Sequence, residues 1–137
     1  DISLVQRFEK QIDILINENY AACTTRAIIR EDTRITPNKS FYLPKFFVMN
    51  LKNPFVHGSL MITKEALISV GGYNELFYYA QDYKLMSDLL EANQKIKIIK
   101  DPHYILNIKD NISTNYKEQQ QYYADCVRKK IQPEKIK

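Results

Sequence analysis

The residues best suited to chemistry lie between Asn53 and Asp88, in the stretch NPFVHGSLMITKEALISVGGYNELFYYAQDYKLMSD. Asp82 stands where an apolar-periodic segment begins, which puts it in the first turn of a helix. A helix N-terminus carries unpaired N–H groups and partial positive charge, so a carboxylate there is favoured in its ionised form by roughly 0.3–1 kcal/mol. An ionised Asp in a cleft can accept a proton from a hydroxyl nucleophile. The same position also suits a helix cap or a dipole partner, and location alone does not separate these roles. Ahead of it, Gly71-Gly72 permits positive φ and a close approach of backbone to another group. Tyr73, Phe77, Tyr78 and Tyr79 follow as an aromatic segment. Aromatic faces are platforms for the C–H faces of sugars, and they equally pack a loop onto a core. His57 opens the stretch at the start of a predicted strand, where it serves either a cleft or a structural hydrogen bond. His103, behind Pro102, has no supporting pattern.

The elements that must hold these residues follow from periodicity. Ser3 and Gln6 have the spacing of a capping box. Leu4, Val5, Phe8, Ile12, Leu15 and Ile16 then recur at helical spacing, opposite Arg7, Glu9, Lys10 and Asp13, up to Asn17–Asn19. Ala21–Arg30 reads as a buried strand and Glu31–Lys39 as a loop. Pro44 opens a short helix to Met49, and Phe55–Ile62 reads as a strand. Thr63 caps a helix over Lys64–Val70 that Gly71-Gly72 stops. Tyr73–Ala80 is irregular. A helix runs from Gln81 to Ala92 with Leu85, Met86, Leu89 and Leu90 on one side. Lys95–Ile99 and His103–Ile108 read as two strands separated by Pro102, and a last helix spans Tyr116–Lys130. Strands alternating with helices make a mixed α/β unit, a single domain over residues 1–137 without repeat or linker.

Composition bounds the function. Hydrophobic residues make up 45% and charged residues 26%, the balance of a globular protein with an ordinary core. Apolar runs such as Phe46–Met49 are far too short to span a bilayer, and no signal-peptide pattern opens the chain. Position 1 is not Met, which points to a domain cut from a longer protein. Cys23 and Cys126 are far apart, without C-x-x-C spacing, and read as buried thiols of a reducing compartment. The net charge of +4 gathers at the end, in Arg128, Lys129, Lys130, Lys135 and Lys137 against Glu134. That cluster suits a solvated helix end or a weak attraction to an anionic membrane surface.

The run HGSLMITKEALxxVGGYNExFxYAQDYxL, from His57 to Leu85, resembles family-2 glycosyltransferases, inverting enzymes that build bacterial surface polysaccharides. In that family a strand with His or Ser precedes a G-G-Y-(D/N)-E-x-F turn, and an (E/Q)-D-Y-x-L helix start follows. The N-terminal DISLxxRFEKQI, with Asp1, Arg7, Glu9, Lys10 and Gln11, is similar to the segment after the family's D-x-D motif. Asn111–Ser113, followed by Gln119–Gln121 and Tyr122, is a third and weaker match. This chain departs from the pattern at Met86 (Trp in relatives), at Asp88 (Arg), and at Leu106-Asn107-Ile108 where R-x-H stands.

The resemblance implies the C-terminal, acceptor-side half of an A-type glycosyltransferase fold, a mixed sheet with flanking helices. It implies transfer of a sugar from a nucleotide-diphosphate donor to a hydroxyl of a glycan or lipid-linked acceptor, with inversion, in cell-surface polysaccharide or lipopolysaccharide synthesis. Asp82 carries over as the catalytic base. Gln81, Gly71, Gly72, Tyr73 and His57 are the expected substrate-binding residues. A divalent Mg²⁺ or Mn²⁺ belongs to the D-x-D of the other half, so no metal ligand is assigned here and none is expected bound to this piece, which alone should be inactive. The expected setting is cytoplasmic, peripheral to the inner membrane face through the basic tail, with a homodimer as one way to cover exposed apolar surface. The alternatives are a basic nucleic-acid-binding module and a protein-interaction domain without chemistry. Interleaved acids, and the lack of any nucleic-acid motif, weigh against the first of these.

Overall fold

The computed structural model describes residues 1–109 and 115–134. The Asn111–Ser113 match, Lys135 and Lys137 lie outside them. The fold is α/β: an open mixed sheet of five strands with helices on both faces. Its strands are β1 (Ile2–Ser3), β2 (Ala22–Ile29), β3 (Ile35–Thr36), β4 (Met61–Ile62) and β5 (Ile96–Leu106). β2 and β5 run parallel at the centre. β1 pairs antiparallel with β5, while β3 and β4 pair antiparallel with the two ends of β2.

The helices are α1 (Arg7–Asn17), α2 (Lys45–Met49), α3 (Lys64–Ser69), α4 (Gln81–Glu91) and α5 (Lys117–Lys129). α1 covers one face of the sheet, where Ile14 meets Cys23 and Ile99. The other face holds the main core. There Ala22, Ile96 and Ile98 meet Tyr83, Leu85, Met86 and Leu89 of α4 and Tyr123, Cys126 and Val127 of α5. Alternation along β2 and β5 sorts these residues between the two faces. Cys23 and Cys126 are free buried thiols, and burial pushes the Cys23 thiol up to about 11. Among the described residues no helix is long and apolar enough to cross a membrane.

Four local expectations are corrected. Ser3 and Gln6 make no capping box: Gln6 is itself the N-cap residue, at φ 72°, with no side-chain cap bond. The buried stripe of α1 is Arg7, Gln11 and Ile14, whereas Val5, Phe8, Ile12 and Ile16 face outward. Only Met61–Ile62 of the expected strand 55–62 is a strand. Pro54 lacks a donor, His57–Ser59 forms a 3-10 turn, and the Ser59 hydroxyl takes the place of a ladder partner. It accepts from Thr25 N at 2.9 Å and donates to Val56 O at 2.8 Å. Finally, the two strands around Pro102 are one. β5 carries extra residues between Ile99, paired with Thr25, and Pro102, paired with Arg26. Such a bulge is where a strand tolerates proline.

The expected α3 cap is present: Thr63 Oγ1 accepts from Ala66 N at 3.2 Å. α3 ends on Gly71 and Gly72, at φ 79° and 75°, with Gly72 N bonded to Leu67 O at 2.9 Å. L side chains are strained in that region, so the pair turns the chain toward α4.

Candidate active site

Asp82 occupies the first turn of α4, as its place in the sequence predicts. The residue before it, Ala80, caps the helix at φ 55° and is nearly buried. A non-glycine residue in the left-handed region costs about 1–2 kcal/mol, a cost met by the packing on either side of it. Phe77 is 1% exposed and meets Tyr123 of α5 edge-on at 6.2 Å. From the C-terminal side, Tyr83, Leu85 and Met86 anchor α4 in the core, and the Tyr83 hydroxyl donates to Met49 O. Asp82 is thereby fixed at the point where an irregular loop enters a rigid helix.

The carboxylate is half-buried, and its one hydrogen bond among the described residues comes from Asn53, whose Nδ2 lies 3.0 Å from Asp82 Oδ2. Asn53 is oriented in turn, since its Oδ1 accepts from Phe55 N at 3.1 Å. No described cation forms an ion pair with Asp82. Its second oxygen, Oδ1, takes no hydrogen bond among the described residues.

Two clefts meet at this carboxylate. The larger, about 620 Å³, is walled by Tyr73, Tyr78, Tyr79 and Tyr116 with His57 and Gln81. The smaller, about 330 Å³, lies toward α5 and includes Asn53, Gln120 and Gln121. Asp82, Ala80 and Gln120 line both. At the rim of the larger cleft, Tyr73 Oη and His57 Nε2 are 3.3 Å apart and their rings stand perpendicular, centroids 5.9 Å apart. The Tyr73 hydroxyl is pushed above the usual phenol range, first by desolvation and then by the negative charge of Asp82. That charge therefore reaches across the cleft.

The aromatic segment divides between its two possible roles. Phe77 packs the loop down. Tyr79 stacks between Tyr78, at 5.3 Å, and Tyr116, at 5.6 Å, so it both packs and lines the cleft. Tyr78 is 74% exposed and presents its ring to solvent. His57, Tyr73, Gln81 and Asp82 are thus brought together as the sequence predicts, although His57 stands on a 3-10 turn rather than a strand. Gly71 and Gly72 line neither cleft, and nothing lies within 4 Å of a Cβ built on either. The close backbone approach is at Gly58 instead, where a Cβ would meet Tyr104 Oη at 2.3 Å.

Asn53 is the residue sequence reasoning missed. Its signal was the Asn-Pro pair, which marks an Asx-type turn and a side chain turned back on its own backbone. Among the described residues no three His, Cys, Asp or Glu side chains converge to hold a metal ion. Asp1 has its carboxylate engaged by Asn107 N at 2.8 Å and by Tyr104 Oη at 3.2 Å.

No family model, curated protein or solved structure matches this chain. What the site can do rests on its geometry: an oriented, unpaired carboxylate between an aromatic cleft and a polar one.

Proposed function

We propose that this chain is the acceptor-side half of an inverting glycosyltransferase, in which Asp82 deprotonates the hydroxyl that attacks a nucleotide-diphosphate sugar. The observation that supports this reading is the setting of Asp82. It is an oriented carboxylate with one oxygen that takes no hydrogen bond and no ion pair among the described residues, and with a tyrosine-walled cleft in front of it. Had Asp82 been a structural cap, its oxygens would be directed at the backbone N–H groups of α4. The one hydrogen bond the carboxylate accepts among the described residues is from the Asn53 side chain.

In this mechanism an acceptor sugar lies against Tyr73, Tyr78 and Tyr79, its hydroxyl toward Asp82 Oδ1. As the hydroxyl oxygen bonds to the anomeric carbon, its proton passes to Oδ1 and the bond to the diphosphate breaks on the opposite face. The product is inverted, and protonated Asp82 returns the proton to water. Asn53 is a positioning residue: its N–H on Oδ2 fixes the carboxylate plane. Gln81, exposed beside Asp82, offers amide donors to ring hydroxyls. Holding both reactants in register supplies much of the acceleration.

The donor half, with its divalent cation, is proposed to lie outside this chain. The setting that goes with the reading is cytoplasmic, at the inner membrane face, in assembly of a surface polysaccharide or lipopolysaccharide. The test is transfer by the full-length protein from a panel of nucleotide sugars to hydroxyl acceptors, with the product's anomeric configuration read by NMR. Inversion is expected; retention of configuration would contradict Asp82 as a base, because a retained product needs two displacements or an internal return.

A further inference from the structure

The smaller cleft has a charge pattern that deprotonating a neutral hydroxyl does not require. Lys52, at the end of the α2 segment, and Lys117 and Arg128, both on α5, are three cations lining it, against the single carboxylate of Asp82. Arg128 is already committed: it pairs with Asp125 and donates to Leu51 O at 3.2 Å. Lys52 and Lys117 make no ion pair among the described residues. The carboxamides of Asn53, Gln120 and Gln121 share the same walls, with Asn53 Nδ2 already donating to Asp82 and Gln121 Nε2 to Asp125 at 3.2 Å. Two exposed lysine ammonium groups that make no ion pair among the described residues, with the Gln120 amide, around about 330 Å³ form an environment for an anion.

We propose that the smaller cleft binds an anionic group, a phosphate or a carboxylate, carried by the acceptor whose hydroxyl meets Asp82. The proposal rests on the glycosyltransferase reading and adds the acceptor's chemical class. Position favours the acceptor over the donor. In an in-line displacement the leaving diphosphate departs on the face opposite the incoming hydroxyl, whereas this cleft shares Asp82 and Gln120 with the hydroxyl's side. An anion so close to Asp82 is repelled by it, and Lys52 and Lys117 offset that repulsion. They also draw a charged acceptor toward the site, an attraction that salt screens.

The test follows the side-chain amide signals of Asn53, Gln120 and Gln121 in ¹H–¹⁵N spectra of the full-length protein. The ligands are inorganic phosphate, glycerol 3-phosphate, glycerol and uridine diphosphate. Saturable shifts are expected with phosphate and glycerol 3-phosphate and none with glycerol. In Lys52→Gln/Lys117→Gln the Kd for both should rise by about tenfold or more, with an unchanged thermal midpoint. Asp82→Asn, which removes the repelling charge, should tighten phosphate binding. Phosphate shifts scattered over surface lysines, or a Kd indifferent to the double substitution, would overturn the site. Tighter binding of uridine diphosphate on these same amides, lost in the double variant, would assign the cleft to the donor and overturn the acceptor. Because the readout is binding, an anion site that persists while Asp82→Asn retains sugar transfer would sink the catalytic reading and leave the cleft standing.

Discussion

α1 and α4 are both eleven residues long and both amphipathic in sequence, yet they meet the sheet in opposite ways. α4 buries Tyr83, Leu85, Met86 and Leu89, of which periodicity predicts all but Tyr83, while the expected Leu90 is half-buried. α1 turns most of its apolar stripe outward, with Phe8 57% and Ile16 71% exposed, and buries Arg7 and Gln11 beside Ile14. The reason is what each helix covers. α4 lies on side chains of β2, β5 and α5, which ask only for apolar contact. α1 lies over backbone carbonyls. Gln11 Nε2 donates to Ser59 O at 2.6 Å and Cys23 O at 3.2 Å, and Arg7 holds the Gln11 amide from behind at 3.0 Å. A buried carbonyl without a partner costs about 1–3 kcal/mol, so a polar side chain is favoured there. Patterning identifies a helix; the unmet hydrogen bonds beneath it decide which side faces in.

The comparison can be broken first at α4. Leu89 is fully buried between the sheet and α5, and Leu89→Ala should cost about 2–5 kcal/mol in urea unfolding. A loss below about 1 kcal/mol would mean that α4 is not the anchor of the site.

Gln11 comes next. Gln11→Leu removes both donors from Ser59 O and Cys23 O, and about 1–3 kcal/mol should be lost, less than at Leu89. A second readout sharpens this case. Burial holds the Cys23 thiol near 11, unreactive at neutral pH. The Gln11 amide lowers that thiol through its hydrogen bond to Sγ, so its loss should push Cys23 further up and keep it slow to alkylate at pH 8. Faster alkylation of Cys23 would show that the α1 face opens rather than losing one bond.

The smallest effect belongs to the outward stripe. Phe8→Ser with Ile16→Ser should change stability by no more than about 0.5 kcal/mol each and should raise solubility, since both side chains already face outward. A large loss would place that face in contact with something in solution.

How much was legible follows the same division. The α4 stripe, the Thr63 cap and the Gly71-Gly72 turn were read correctly because each depends on local chemistry alone. Tyr73, Gln81 and Asp82 share one cleft because one turn and one helix start set them, whereas His57 reaches it from a separate 3-10 turn and Gly71 and Gly72 stay outside it. Gln11, Ser59 and Asn53 were not legible, since a polar residue in sequence reads as surface, and only tertiary neighbours show the carbonyl, ladder gap or carboxylate it serves. The interruption of 55–62 and the joining of β5 across Pro102 are likewise properties of the paired strand, not of the run itself.

The central claim is that Asp82 takes the acceptor's proton, and transfer rates in the full-length protein test it most directly. With a nucleotide sugar and a hydroxyl acceptor, Asp82→Asn should lower kcat by about 10²–10⁴-fold and leave donor affinity within a factor of about two. Asn53→Ala, which frees the carboxylate to rotate, should lower it less. Transfer by Asp82→Asn at an undiminished rate would contradict the account, whatever else in the cleft remained intact.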